Sequence, residues 1–87
     1  MSIDAIFAAD ITRDKKSGWT CVEWPDSVAA LGTGMAVKVV AAIDDHEFEA
    51  TFLPVGGMHM LPLRAAILKG IGRSVGDAVE VRFKYRL

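Results

Sequence analysis

A chain of 87 residues is long enough for one hydrophobic core and too short for two, so residues 1–87 are predicted to form a single domain. Hydrophobic residues make up 52% of the sequence and charged residues 24%, a balance that excludes an intrinsically disordered chain. The net charge is −1, and the single cysteine excludes an internal disulfide.

Two strands are predicted at the start of the chain. Residues 3–11 carry apolar side chains at every odd position, which places those side chains on one face of a strand. The charged run 13–18 ends in a glycine and suits an exposed hairpin connection into a second strand over residues 19–24. The predicted inward residues of the first strand are Ile3, Ala5, Phe7, Ala9 and Ile11.

A short helix is predicted next. Pro25 ends the second strand because proline lacks the backbone N–H that a strand ladder needs. Asp26 or Ser27 can then cap a helix over residues 28–31, and Gly32 and Gly34 provide its exit.

The middle of the chain predicts the clearest hairpin. Residues 35–43 are rich in β-branched side chains, and residues 47–53 alternate between apolar and polar side chains. A tight turn at 44–45 or 45–46 joins these two strands. The predicted inward residues are Val37, Val39, Ala41, Ile43, Phe48, Ala50 and Phe52.

The segment 54–61 is predicted to be irregular, because a proline closes the preceding strand and two glycines follow. Pro62 is then predicted to open a helix that ends at Gly72. The apolar stripe of this helix is Leu63, Ala66, Ile67, Gly70 and Ile71, with Arg64 and Lys69 off the stripe.

A last strand is predicted after the turn 75–77. Its residues alternate regularly, so one face should be core and the other solvent. The predicted core face is Val79, Val81, Phe83, Tyr85 and Leu87, and the predicted outer face is Glu80, Arg82, Lys84 and Arg86.

These elements predict a mainly β protein, a small barrel or pseudobarrel of five to six strands capped by two short α-helices. A curled sheet buries one face and removes exposed strand edges. A flat sheet with both helices packed on one side is the alternative that the pattern leaves open.

The order of these features resembles a known family, the domain of unknown function 1905. The segments that carry the resemblance are Gly18-Trp19 followed by Glu23-Trp24-Pro25, the hairpin 37–52, and the segments 54–63 and 71–81. The resemblance implies a double-split β-barrel capped by helices, similar to swapped-hairpin transcription regulators and antitoxins. It implies no activity.

The most distinctive local feature is the glycine-rich segment Gly56-Gly57-Met58-His59. Backbone N–H groups beside a helix start could hold an anion, and a histidine could add a hydrogen bond, so these residues are the predicted ligand-binding site. The alternative is that the glycines only turn the chain while the methionines fill gaps in the core.

The charge is unevenly distributed along the chain. Residues 1–60 have a net charge of −5 and residues 61–87 a net charge of +4. A basic C-terminal face could contact phosphates, whereas pairing with the acidic strands, or a simply solvated face, is the favoured alternative. The candidate phosphate contacts are Arg64, Lys69, Arg73, Arg82, Lys84 and Arg86.

No catalytic constellation is predicted. Cys21 lies within a strand, where a free cysteine usually behaves as a small buried hydrophobe, and few polar residues could activate it. His46 is close in sequence to several carboxylates, but neighbouring strand residues point to opposite faces and could not converge on one ion. We therefore expect no metal, no cofactor and no enzymatic activity.

The longest stretch without Asp, Glu, Lys or Arg, residues 50–63, is too short to span a bilayer. We expect a cytoplasmic, bacterial, non-enzymatic binding module that acts as a monomer or homodimer without a membrane partner. Its expected partner is a small ligand or a protein at the glycine-rich segment. The alternative function is a nucleic-acid-binding regulator that uses the basic C-terminal face.

Overall fold

The computed structural model describes residues 2–87, and the side chains from residue 5 onward, so the predicted inward position of Ile3 lies outside the described side chains. Within this range there are seven strands and two helices. They are β1 (Ser2–Asp10), β2 (Thr12–Arg13), β3 (Thr20–Trp24), α1 (Ser27–Leu31), β4 (Val37–Ile43), β5 (His46–Val55), β6 (Met58–Pro62), α2 (Ala65–Ile71) and β7 (Ala78–Arg86).

The strands close into a six-stranded β-barrel. The sheet order is β1-β7-β4-β5-β6-β3-β2, with antiparallel neighbours throughout. The two ends of this order, β1 and β2, are separated only by Ile11, so they are two halves of one bent strand. The bent strand joins both ends of the sheet, and the alternative of a flat sheet is wrong.

Two strands change partner part-way along, which gives the double-split form. Residues 2–10 pair with β7, whereas residues 12–13 pair with β3. In β5, residues 46–52 pair with β4, and pairing with β6 begins only at Leu53. The predicted hairpin between the first two strands is therefore limited to two residue pairs, Thr12 with Cys21 and Arg13 with Thr20. The earlier residues of the first strand pair with β7 instead.

An aromatic cluster fills the barrel. Phe7 and Trp24 stack with ring centroids 4.4 Å apart and planes at 6°. Phe52 lies 5.6 Å from Trp24, and Phe83 lies 6.3 Å from it in an edge-on arrangement. Because the three rings that surround Trp24 come from β1, β5 and β7, this cluster ties the far sides of the barrel together.

The β4–β5 hairpin confirms the Asp44–Asp45 turn. Ile43 pairs with His46, so the loop has two residues, and both aspartates have positive φ angles, 50° and 64°. These values are typical of a type I′ turn, whose twist matches that of the flanking strands. Asp is one of the few residue types that tolerate this conformation.

The prediction of an irregular segment over residues 54–61 is wrong. Val55 pairs with Met58 across a second two-residue turn, in which Gly56 and Gly57 have φ angles of 54° and 82°. Pro54 is tolerated in β5 because the pairing of β5 with β4 ends at Phe52. Beyond that residue β4 accepts no hydrogen bond from β5, so the missing N–H of the proline costs none.

We expect Gly57→Val to destabilise the fold by about 1–3 kcal/mol, because a β-branched residue resists a positive φ. Nothing lies within 4 Å of the position that a Cβ would take, so backbone strain alone sets the cost. The control is Lys84→Ala, which breaks an exposed ion pair worth about 0–1 kcal/mol. Urea denaturation followed by circular dichroism measures both, and equal midpoints would contradict the prediction.

The second helix begins later than predicted. Pro62 is the last residue of β6, where it pairs with Cys21, and the helix starts at Ala65. Leu63 and Ile67 are buried as expected, whereas Ala66 is exposed. The predicted exits Gly32 and Gly72 are confirmed, since both are left-handed C-caps of their helices.

The regular alternation predicted for β7 fails at its end. Val40 pairs with Tyr85 but Ala41 pairs with Phe83, so Lys84 is an extra, bulged residue. The bulge shifts the following side chains: Tyr85 and Leu87 are exposed instead of buried. Arg86 turns towards α1, where its guanidinium donates a hydrogen bond to the Leu31 carbonyl.

No helix in the described part of the chain is both long and apolar enough to cross a membrane.

Candidate functional site

A groove of about 770 Å³ opens where β5 changes partner. Its walls come from the outer side of β4 and β5, the start of β3, and the segment that leads from β6 into α2. The residues that line it are Trp19, Thr20, Lys38, Glu49, Ala50, Thr51, Leu53, Pro62, Leu63, Arg64 and Ile67. The volume lies in the range of about 300–1,000 Å³ that is typical of small-molecule sites.

One wall of the groove is the edge of a strand. Three consecutive residues of β5, Glu49–Thr51, line the groove, although consecutive strand side chains point to opposite faces. The groove therefore faces the edge of β5 as well as its outer face. This edge precedes Leu53, where pairing with β6 begins, so its backbone N–H and C=O groups have no neighbouring strand among the described residues.

The charged side chains in the groove are not paired with each other. Lys38, Glu49 and Arg64 line the same groove, yet the described residues show no ion pair within 4.0 Å or side-chain hydrogen bond for any of the three. Trp19, an aromatic residue that is 52% exposed, also lines the groove. The groove thus combines an exposed aromatic residue, two cations and one carboxylate above an apolar floor.

The predicted ligand-binding segment lies elsewhere. Gly56 and Gly57 form the exposed turn of the β5–β6 hairpin, and Met58 is half-buried after it. None of the three lines the groove. His59, in contrast, is fully buried, with 0% of its surface exposed. The structure therefore does not bring the four residues together at one surface, and their role as a ligand site stays a prediction.

His59 is held by three hydrogen bonds inside the protein. Its backbone N–H donates to Ser27 Oγ at 2.7 Å, and its ring Nδ1 lies 2.7 Å from the same hydroxyl oxygen. Ring Nε2 lies 2.8 Å from the Met35 carbonyl oxygen. Because a carbonyl can only accept, Nε2 carries the proton, and Ser27 donates its hydroxyl proton to Nδ1. This arrangement fastens α1 and the loop after it to β6.

Most of the candidate phosphate contacts are engaged within the protein. Arg73 Nε lies 3.0 Å from Asp44 Oδ2, and Lys84 Nζ lies 2.7 Å from Glu47 Oε2. Both pairs join the basic C-terminal part to the acidic β4–β5 hairpin, so the favoured prediction of internal pairing is confirmed for these two cations.

The other four candidate cations are dispersed. Arg86 contacts the Leu31 carbonyl, and Arg82 has a partner of its own. Arg64 and Lys69 are exposed on α2, and of these only Arg64 lines the groove. The six residues therefore do not form one open basic surface, and phosphate binding by them stays a prediction.

Cys21 is fully buried in β3, as its strand position predicts. Burial raises the pKa of its thiol above the ordinary value of 9.0. We expect alkylation of the native protein at pH 8 to be at least about 100-fold slower than alkylation of the urea-unfolded chain, because the reactive thiolate is both scarce and shielded. Mass spectrometry over a time course measures the two rates, and equal rates would show that Cys21 is accessible.

Among the side chains of residues 5–87, no group of three or more His, Cys, Asp or Glu is arranged to hold a metal ion.

The model of a family described as "Domain of unknown function (DUF1905)" matches residues 7–83. The chain belongs to the DUF1905 family. The match runs from β1 into β7 and so spans the whole barrel, as the sequence resemblance indicates. A comparison with curated proteins finds no match.

The sequence does not predict the groove of this DUF1905 domain. It does hold signals for two other features, the burial of His59 and the second hairpin turn. A strand over residues 58–62 would place His59 on the same face as Leu61, which predicts an inward histidine. Gly56-Gly57 is a two-residue hairpin signal. The groove itself depends on the partner change of β5, and no local pattern encodes that change.

Proposed function

We propose that this DUF1905 chain is a small, non-enzymatic binding module whose ligand occupies the groove beside β5. The observation that carries the proposal is the grouping of an exposed aromatic residue, Trp19, with three charged side chains that have no ion-pair partner among the described residues, around one concave surface. Sites of this kind combine apolar walls with a few polar groups that fix orientation. The described lining holds one carboxylate and no histidine or cysteine, which supports binding over nucleophilic or general acid–base catalysis.

Ligand-observed NMR with a fragment set tests this proposal on the full chain. We expect ring-containing fragments to bind the natural protein and to lose at least about tenfold in affinity for Trp19→Ala. Met35→Ala is the matched control, because Met35 is a large exposed apolar residue that does not line the groove. Binding that is equal in both variants, or no binding at all, would overturn the proposal.

The nucleic-acid alternative is carried by fewer observations, since two of its six cations are ion-paired and one is turned inward. DNA titration at low and moderate salt tests it, because phosphate contacts make affinity fall with salt.

We propose the bacterial cytoplasm as the location of the module. The free thiol of Cys21 is compatible with this reducing compartment, and cell fractionation tests it.

A further inference from the structure

We propose that the ligand of the groove beside β5 is a nucleoside monophosphate, that is, a flat ring joined through a sugar to one phosphate. This inference rests on the proposed function, because it names the chemical class that the same groove takes. It follows from three groups of lining residues, each of which suits one part of such a ligand: the ring, the phosphate or the sugar.

Trp19 supplies the surface for the ring. Trp19 lines the groove and is 52% exposed to solvent as a residue, whereas Trp24 is buried in the barrel. An exposed indole face offers stacking to any base, since every base has a π-face. The apolar side chains of Leu53, Pro62 and Ile67 line the same groove and can cover the other side of the ring.

Lys38 and Arg64 supply the charge for the phosphate. Neither cation has a carboxylate within ion-pair distance among the described side chains, in contrast to Arg73 and Lys84, which both do. A guanidinium binds phosphate in a two-pronged geometry, and an ammonium binds it as a point charge. Two cations attract one phosphate group, whose charge is about −1.5 to −2 at neutral pH.

Glu49 limits the length of the phosphate chain and suits the sugar. A carboxylate only accepts hydrogen bonds, so it can accept from sugar hydroxyls but repels further phosphates. Thr20 and Thr51 place hydroxyl groups in the same groove, and the open edge of β5 adds backbone donors and acceptors. The charge pattern therefore favours a monophosphate over a triphosphate.

Isothermal titration of the full chain with adenosine monophosphate and uridine monophosphate tests the inference. We expect both to bind, with adenosine triphosphate, adenosine and inorganic phosphate each at least about tenfold weaker. Arg64→Ala should weaken the monophosphates at least about tenfold and leave adenosine unchanged. Lys69→Ala is the matched control, since this exposed cation of α2 does not line the groove, and it should bind like the natural protein.

The outcomes separate this inference from the proposed function. If monophosphates do not bind while other ring-containing fragments bind in a manner that depends on Trp19, the groove is a ligand site and the nucleotide inference is wrong. If a short single-stranded oligonucleotide binds at least tenfold more tightly than either monophosphate, the groove is a nucleic-acid site and the inference is also wrong. If nothing binds, both proposals fail.

Discussion

Trp24→Ala is expected to lower the free energy of unfolding by about 3–5 kcal/mol. Domains of this size have only about 5–15 kcal/mol in total. The indole stacks on Phe7 at 4.4 Å and contacts Phe52 and Phe83, so its removal leaves a cavity bordered by three strands. Urea denaturation followed by far-ultraviolet circular dichroism measures the loss.

Trp19→Ala is the matched control for this prediction. Trp19 precedes β3 in the chain and is exposed, so its removal should change the free energy of unfolding by no more than about 0.5 kcal/mol. The two tryptophans thus separate stability from binding: one holds the barrel and the other lines the groove. A loss for Trp24→Ala as small as that expected for Trp19→Ala would mean that Trp24 is not the centre of the core.

The barrel could be predicted from sequence because its long strands alternate. Val37, Val39, Ala41 and Ile43 share the inner face of β4, and all four are buried. Local patterns of this kind report which face of a strand is buried, because side-chain direction repeats every two residues. They do not report which strand is the neighbour, so the pairing of β1 with β7 could not be predicted.

The errors lie where tertiary contacts override a local rule. Pro54 ends strands in general, but here it lies beyond the β4 pairing and costs no hydrogen bond. The bulge at Lys84 breaks an alternation that the sequence continues to Leu87. In both places the decisive information is the position of a neighbouring strand, which is distant in sequence.

The candidate site was less predictable than the fold for the same reason. Trp19, Lys38 and Arg64 come from three separate parts of the chain, and only the partner change of β5 brings them to one groove. Arg64 was predicted as a phosphate contact because of its charge. The sequence does not predict that Trp19 and Lys38 lie beside Arg64, because an exposed tryptophan and a solvent-facing lysine carry no local signal of a shared site.

His59→Ala is expected to lower the free energy of unfolding by about 3 kcal/mol. The change removes the acceptor of the buried Ser27 hydroxyl and the donor to the Met35 carbonyl, and a buried polar group without a partner costs about 1–3 kcal/mol. It also removes the imidazole that lies edge-on to Phe52 at 6.2 Å and leaves a cavity. The fastening of α1 to β6 should loosen as a result.

His46→Ala provides the matched control, because His46 is the other histidine of the sequence and its side chain is exposed beside Gly70. Its removal should change the free energy of unfolding by no more than about 0.5 kcal/mol. Hydrogen exchange adds a second measurement: the His59 amide, which donates to Ser27 Oγ, should exchange slowly in the natural protein and faster in Ser27→Ala. If His59→Ala kept full stability, the buried position of His59 in the barrel wall would be wrong. The histidine would then be available to a ligand, as the ligand-binding prediction for the glycine-rich segment requires.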